Sequence, residues 1–257
     1  MRVSRSIQWG SLNGMRKVET PEQMTEEYRS TLLKIVYALA STEFASVEQH
    51  HRWINQGPTA EDRFIQAQIA ADEAHQGFID CRMLRHFGKE GEDMADRLLT
   101  LRMGQHPIAA FNVPMESWVD VVGFCFCMDL VAWYHLRAME DCSYAPLARE
   151  MTTMVGEEKF HASFGARRIK DLVRDARYQN LCRAGAAEAQ QTIDKWYPHA
   201  LDTFGSARSK FSELAVACGI RRWGNEELRR MWRKDIDPQI EKLGLSVPDA
   251  EKGRLIH

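Results

Sequence analysis

Glu158-Lys159-Phe160-His161 sets a carboxylate and an imidazole three residues apart. On a helix this spacing stacks both groups on one face, about one turn apart, where both reach the same metal ion. A single motif of this kind arises by chance, and for His161 taken alone a hydrogen-bonded core histidine is the simpler reading. Asp129, taken alone, reads as a satisfied carboxylate on a helix face. Three further acids change the balance. Leu32, Ile35, Leu39, Glu43 and Val47 form one apolar stripe at helical spacing. Met115, Trp118, Val122, Phe126, Asp129, Trp133 and Leu136 form a second, and Leu147, Met151, Met154, Glu158, His161 and Gly165 a third. Ile65, Ile69, Asp72 or Glu73, Gln76, Ile79 and Met83 form the fourth. Each stripe carries an acid near its middle, and an unpaired buried carboxylate is costly. A shared metal pair explains all four: two helices give one carboxylate each, and two give Glu-x-x-His. The order repeats along the chain, because Glu43 precedes Glu73 by 30 residues and Asp129 precedes Glu158 by 29.

The motif on the second long helix has two registers. Asp72 with His75 makes acid-x-x-His, whereas Glu73 with Gln76 makes Glu-x-x-Gln. The internal repeat and the apolar stripe favour Glu73 as a ligand. The nitrogen donor stays open between His75 and Gln76, and a local π-bulge would bring His75 inward. An amide oxygen is the weaker donor, so Gln76 at this place would leave one metal position loosely held.

The elements that must position these groups are helices. Apolar residues recur at steps of three and four, and no segment alternates long enough to demand a sheet. Long helices are predicted at roughly 25–52, 60–87, 115–141 and 146–175. Thr25 opens the first, and Thr59 with Asp62 forms a capping box for the second. Shorter helices are predicted at roughly 90–103, 186–204, 206–221 and 225–243, with a break near 177–185 and a kink or end at Pro238. Residues 1–24 read as an irregular N-terminal segment and 25–257 as one all-α domain, since no Pro-, Gly- or Ser-rich linker divides the chain.

Composition narrows the classes. The 257 residues carry 34 Lys and Arg against 36 Asp and Glu, so no basic excess points to nucleic acid or a membrane surface. The longest apolar runs, such as Val121 to Cys127, fall short of the roughly 20 residues that span a bilayer. Gln8, Asn13 and Arg16 interrupt any signal-peptide core, and a cytoplasmic location is expected. The six cysteines form no CxxC pair, which argues against a disulfide framework and against a cysteine-held zinc or iron–sulfur site. No dinucleotide fingerprint follows a strand pattern, so redox work here needs electrons from a separate reductase.

With these residues assembled, the chain resembles the catalytic subunit of the bacterial multicomponent phenylacetyl-CoA epoxidases over about residues 22–250. The resemblance is carried by Met24-Thr25-Glu26-Glu27-Tyr28-Arg29 with Thr31-Leu32, Asp72-Glu73-Ala74, Glu157-Glu158-Lys159-Phe160-His161, Ser206-Ala207-Arg208-Ser209, Asn225-Glu226-Glu227-Leu228-Arg229 and Leu243-Gly244-Leu245-Ser246-Val247-Pro248-Asp249. It implies a ferritin-like four-helix bundle with additional C-terminal helices, two non-haem irons, and Glu43, Glu73, Asp129, Glu158 and His161 as ligands. The family's first-motif histidine falls on Gln76. Members also continue beyond the Val247-Pro248-Asp249 element, and the loop after Phe204-Gly205 is shorter here, which marks a divergent member. The implied reaction is dioxygen activation and epoxidation or hydroxylation of an aromatic acyl-CoA such as phenylacetyl-CoA. The implied partners are a flavin and iron–sulfur reductase together with a second ferritin-like subunit. No catalytic residue beyond the metal ligands is assigned. Two other readings follow from Gln76: a non-catalytic partner subunit, or a di-iron oxygenase redirected to another substrate. Phe126, Met128, Trp133, Met154 and Phe160 can wall a substrate pocket, although core packing is the simpler reading. Arg167, Arg168 and Lys170 can hold CoA phosphates, although a solvated charged face is the simpler reading there.

Overall fold

The computed structural model describes residues 3–256. It is all-α and consistent with a ferritin-like bundle. Among the described residues there is no strand, and Ser6 with Arg16 and Val18 with Tyr144 make isolated bridges. The helices are α1 Glu26–His50, α2 Ala60–Arg85, α3 Lys89–Leu98, α4 Trp118–Met139, α5 Ala145–Arg174, α6 Ala176–Cys182, α7 Ala186–Thr203, α8 Lys210–Ala217 and α9 Asn225–Lys242.

Local chemistry sets the helix starts. Thr25 Oγ1 accepts from the Tyr28 amide at 3.2 Å. Thr59 and Asp62 close the expected capping box, with the Asp62 amide 3.0 Å from Thr59 Oγ1 and the Thr59 amide 3.2 Å from Asp62 Oδ2. Ser117 caps α4 through the Asp120 amide. Asp175 ends α5 and caps α6 through the Arg177 and Tyr178 amides, so a short helix fills much of the predicted break near 177–185. Pro238 lies inside α9 without ending it. Ile236 and Ile240 are fully buried on either side, and their packing holds the helix through the one missing N–H.

The second pair of long helices, α4 and α5, packs against the first, α1 and α2, while α7 and α9 cover α4. By length and composition α4 would also pass for a membrane span, against the expectation that no segment would. It is instead the core helix of the bundle, mostly buried by its neighbours. Within α4, residues Cys125–Asp129 form a π turn. The Trp232 indole N–H, from α9, donates to the Cys127 carbonyl there at 3.2 Å. Gly165 of α5 lies against this turn so closely that a Cβ would come within 2.2 Å of the Phe126 amide nitrogen.

The apolar core falls into two clusters along the bundle. One holds Ala45, Ile65, Ile69, Phe126 and Phe164, and the other Leu32, Val36, Ile79, Met83, Met151 and Met154. On α1, α2 and α5 the boundary between them is where Glu43, Glu73 and Glu158 sit. The acids therefore form a polar layer across the core rather than scattered exceptions to it.

Candidate metal centre

Glu43, Glu73, Asp129, Glu158 and His161 are all buried, none more than 6% exposed. The four long helices each contribute, and the side chains converge. His161 Nδ1 lies 3.3 Å from Glu73 Oε1 and 3.5 Å from Glu158 Oε1. One ligand atom from each of Glu73, Glu158 and His161 falls within 4.8 Å of the others, the spread a single metal ion spans. Glu43 stands beside Glu73, and Asp129 faces Glu158 and His161.

The two registers of the second motif are resolved. α2 is a regular helix here, and the π turn lies in α4 instead. His75 points outward, its side chain about half exposed and 3.8 Å from Glu157. Gln76 is fully buried and donates from Nε2 to Glu158 Oε1 at 2.9 Å, so the inward position of the first motif carries an amide. His75 thus faces away from the cluster, and Gln76 takes the inward place. Asp72 takes a different role. Its Oδ2 lies 3.1 Å from His161 Nε2, which leaves Nδ1 for the cluster. A carboxylate on the far nitrogen fixes the tautomer and orientation of a metal-binding imidazole.

The electrostatics favours a bound positive charge. Burial, then the neighbouring Glu73, pushes Glu43 well above the carboxylate range. Burial, then Glu158, does the same to Asp129. Burial and Glu73 push Glu158 up to about 7. Glu73 is held low in spite of its burial, because it contacts His161. His161 is raised in spite of its burial, through Glu158 and Asp72. Asp129 Oδ2, Glu158 Oε2, His161 Nδ1 and Gln76 Oε1 are buried with no hydrogen-bond partner among the described residues. Orphaned buried oxygens and an imidazole nitrogen in one layer are what a hard or borderline cation satisfies. The donor set fits a carboxylate-rich metal centre.

Three buried residues of this layer escaped the sequence reading. His50 follows Glu43 by seven residues on the same face of α1, and an extension of the Glu43–Val47 stripe by three reaches it. Cys125 and Asp129 lie within 4.8 Å of a His50 nitrogen. Cys125 lies four residues before Asp129 on the same side of α4, beside Phe126 of the inward stripe, and the spacing alone could have flagged it. Asp80 is fully buried, with neither oxygen partnered among the described residues, and burial raises its pKa strongly.

A cavity of about 300 Å³ opens against Glu43 and is walled by Ile35, Leu39, Phe111, Met128 and Leu136. Of the aromatic and sulfur residues that the sequence offered as pocket walls, only Met128 lines it. Phe126 and Trp133 face a smaller cavity, Met154 is core, and Phe160 is partly exposed. The far wall of the larger cavity carries Arg221, His135 and Asn225. Arg221 is buried, donates to Asn225 Oδ1 at 3.1 Å and approaches His135 Nδ1 at 3.2 Å, and has no acidic partner among the described residues. Burial lowers its pKa to about 10. Arg168 is not free for a phosphate, since it is bound to Asp62, Glu61 and Asp171. Arg167 also pairs with Glu61.

The sequence pattern of the phenylacetic acid catabolic protein family matches residues 15–255. The chain is 29% identical over 236 residues to one of the subunits of the 1,2-phenylacetyl-CoA epoxidase of Escherichia coli (strain K12), covering 91% of this chain and 74% of that protein. It is 29% identical over 157 residues to benzoyl-CoA oxygenase component B of Aromatoleum evansii, covering 59% of this chain and 33% of that protein. With a match across nearly its whole length, the chain belongs to the phenylacetic acid catabolic protein family.

Proposed function

We propose that this chain is the oxygen-activating component of a multicomponent oxygenase, holding two irons and acting on an aromatic acyl-CoA thioester. The oxidoreductase class follows from its relatives, one named an epoxidase and one an oxygenase. Both relatives are named as one part of a larger enzyme, which supports a multicomponent assembly. Electrons would come from a separate reductase, since the chain carries no dinucleotide fingerprint or iron–sulfur cysteine pattern. The observation that carries the reading is the layer of buried acids with orphaned oxygens around His161.

Glu43, Glu73, Asp129, Glu158 and His161 would hold the metal. Bound iron supplies the chemistry of dioxygen reduction, in which two external electrons and two protons accompany transfer of one oxygen atom to the substrate and release of the other as water. The chain's own residues position and insulate this chemistry. Asp72 fixes the His161 ring, and the apolar clusters on both sides exclude water. The cavity beside Glu43 is of a size for an aromatic ring, and Arg221 on its far wall offers an uncompensated positive charge to the polar end of the substrate.

Gln76 supports a second reading, a non-catalytic subunit of the same kind of assembly, because the inward amide already satisfies one Glu158 oxygen. The uncompensated charge of the remaining acids weighs against it. The test loads the protein with ferrous iron anaerobically and adds a reductant, isotope-labelled dioxygen and phenylacetyl-CoA or benzoyl-CoA. One labelled oxygen atom in the product is expected. Iron-loaded protein that consumes no dioxygen with either thioester would overturn the catalytic reading.

A further inference from the structure

We propose that His50, Cys125 and Asp129 form a second metal position, with a nitrogen donor of its own on α1. This rests on the metal-holding reading of the bundle and specifies where its second ion sits. A ligand atom from each of the three residues lies within 4.8 Å of the other two, and all three residues are buried. His50 Nε2 and Asp129 Oδ2 have no hydrogen-bond partner among the described residues. Cys125 stands four residues before Asp129, so the two share one side of α4 within the π turn. The position adjoins the Glu73, Glu158 and His161 cluster, because Asp129 faces both Glu158 and His161.

The donor chemistry selects the ion. An imidazole, a thiolate and a carboxylate suit a borderline divalent transition metal rather than magnesium or calcium. Three protein donors leave a further coordination position open. Loading releases the Cys125 thiol proton. It also requires a turn of one amide. Gln66 Nε2 now donates to His50 Nδ1 at 2.7 Å and to the His50 carbonyl at 3.0 Å. Gln66 Oε1 is buried without a partner. Turning the amide over gives up the bond to the His50 carbonyl but lets Oε1 accept from Nδ1–H and frees the Nε2 lone pair of His50 for the metal, the arrangement in which an outer acceptor orients a ligating imidazole.

Cobalt(II) is the probe, titrated anaerobically into full-length, chelator-stripped protein. Two cobalt ions per chain and a thiolate-to-cobalt charge-transfer band are expected. Cys125→Ser, nearly isosteric, should abolish the band. His50→Ala should lower the stoichiometry from two to one, with circular dichroism confirming the fold. Glu158→Ala should keep the band. Cobalt bound with no thiolate band overturns this proposal and leaves the metal-holding reading standing. A His50→Ala protein that still binds two ions also overturns it. Failure to bind any cobalt overturns both.

Discussion

At the scale of single residues, Asp72 and His161 form the most specific pair in the molecule. Asp72 sits beside a proposed ligand, Glu73, yet its carboxylate serves the imidazole of the opposite motif helix. Asp72→Asn should leave the fold intact and weaken metal binding by about 10- to 100-fold in an anaerobic titration. An unchanged affinity would show that the ring is held by packing alone. A second prediction concerns pH. Glu43, Asp129, Glu158 and His161 all bind a proton more tightly folded than unfolded, the first three through burial and repulsion and the last through its acidic neighbours. Their contribution is present at low pH and lost as pH rises through the folded values. His50, pushed down to about 4 by burial, acts oppositely, but only below its ordinary 6.5. The metal-free protein should therefore melt at progressively lower temperature as pH rises above 6.5, and bound metal should flatten that slope. Thermal melts of stripped and loaded protein across that range check this. A flat profile for the stripped protein would contradict it.

At the scale of elements, the four long helices and their inward acids were legible because burial imposes a 3.6-residue rhythm and an acid breaks it visibly. The capping box at Thr59 and Asp62 was legible for the same local reason. The π turn was not. The sequence suggests it as a device for α2, where it would turn His75 inward, and it lies in α4 over Cys125–Asp129. An extra residue in a turn leaves the apolar content of a buried helix unchanged, so no hydrophobic signal marks it. The sequence does show what accommodates it, Gly165, only once the two helices are known to touch. Gly165→Ala would drive a methyl group into the Phe126 backbone. The variant should lose about 1–3 kcal/mol in denaturant unfolding and bind metal more weakly, because Asp129 ends the displaced turn. Full stability in that variant would show that α5 can move away from α4 freely. The basic run at Arg167 and Arg168 proved to be an anchor between α5 and the start of α2 rather than a phosphate site. Charge alone could not show this, since the partners Glu61 and Asp62 lie more than 100 residues away.

At the scale of the whole molecule, two apolar clusters enclose a polar layer, and a cavity reaches that layer from the side. Arg221 is the cost of that design to stability: a buried cation with no acid beside it among the described residues. Arg221→Met should keep or raise the melting temperature while raising the KM for an acyl-CoA about tenfold or more, with kcat less affected. A destabilised variant with unchanged KM would make Arg221 a structural residue. The central claim is that the polar layer exists to hold metal. Elemental analysis of anaerobically iron-loaded protein, beside its Glu158→Ala variant, tests it most directly. Two irons per chain are expected in the wild type, with a clear loss in the variant. Wild-type protein that retains no iron, or a variant that retains all of it, would show that the layer does not hold metal.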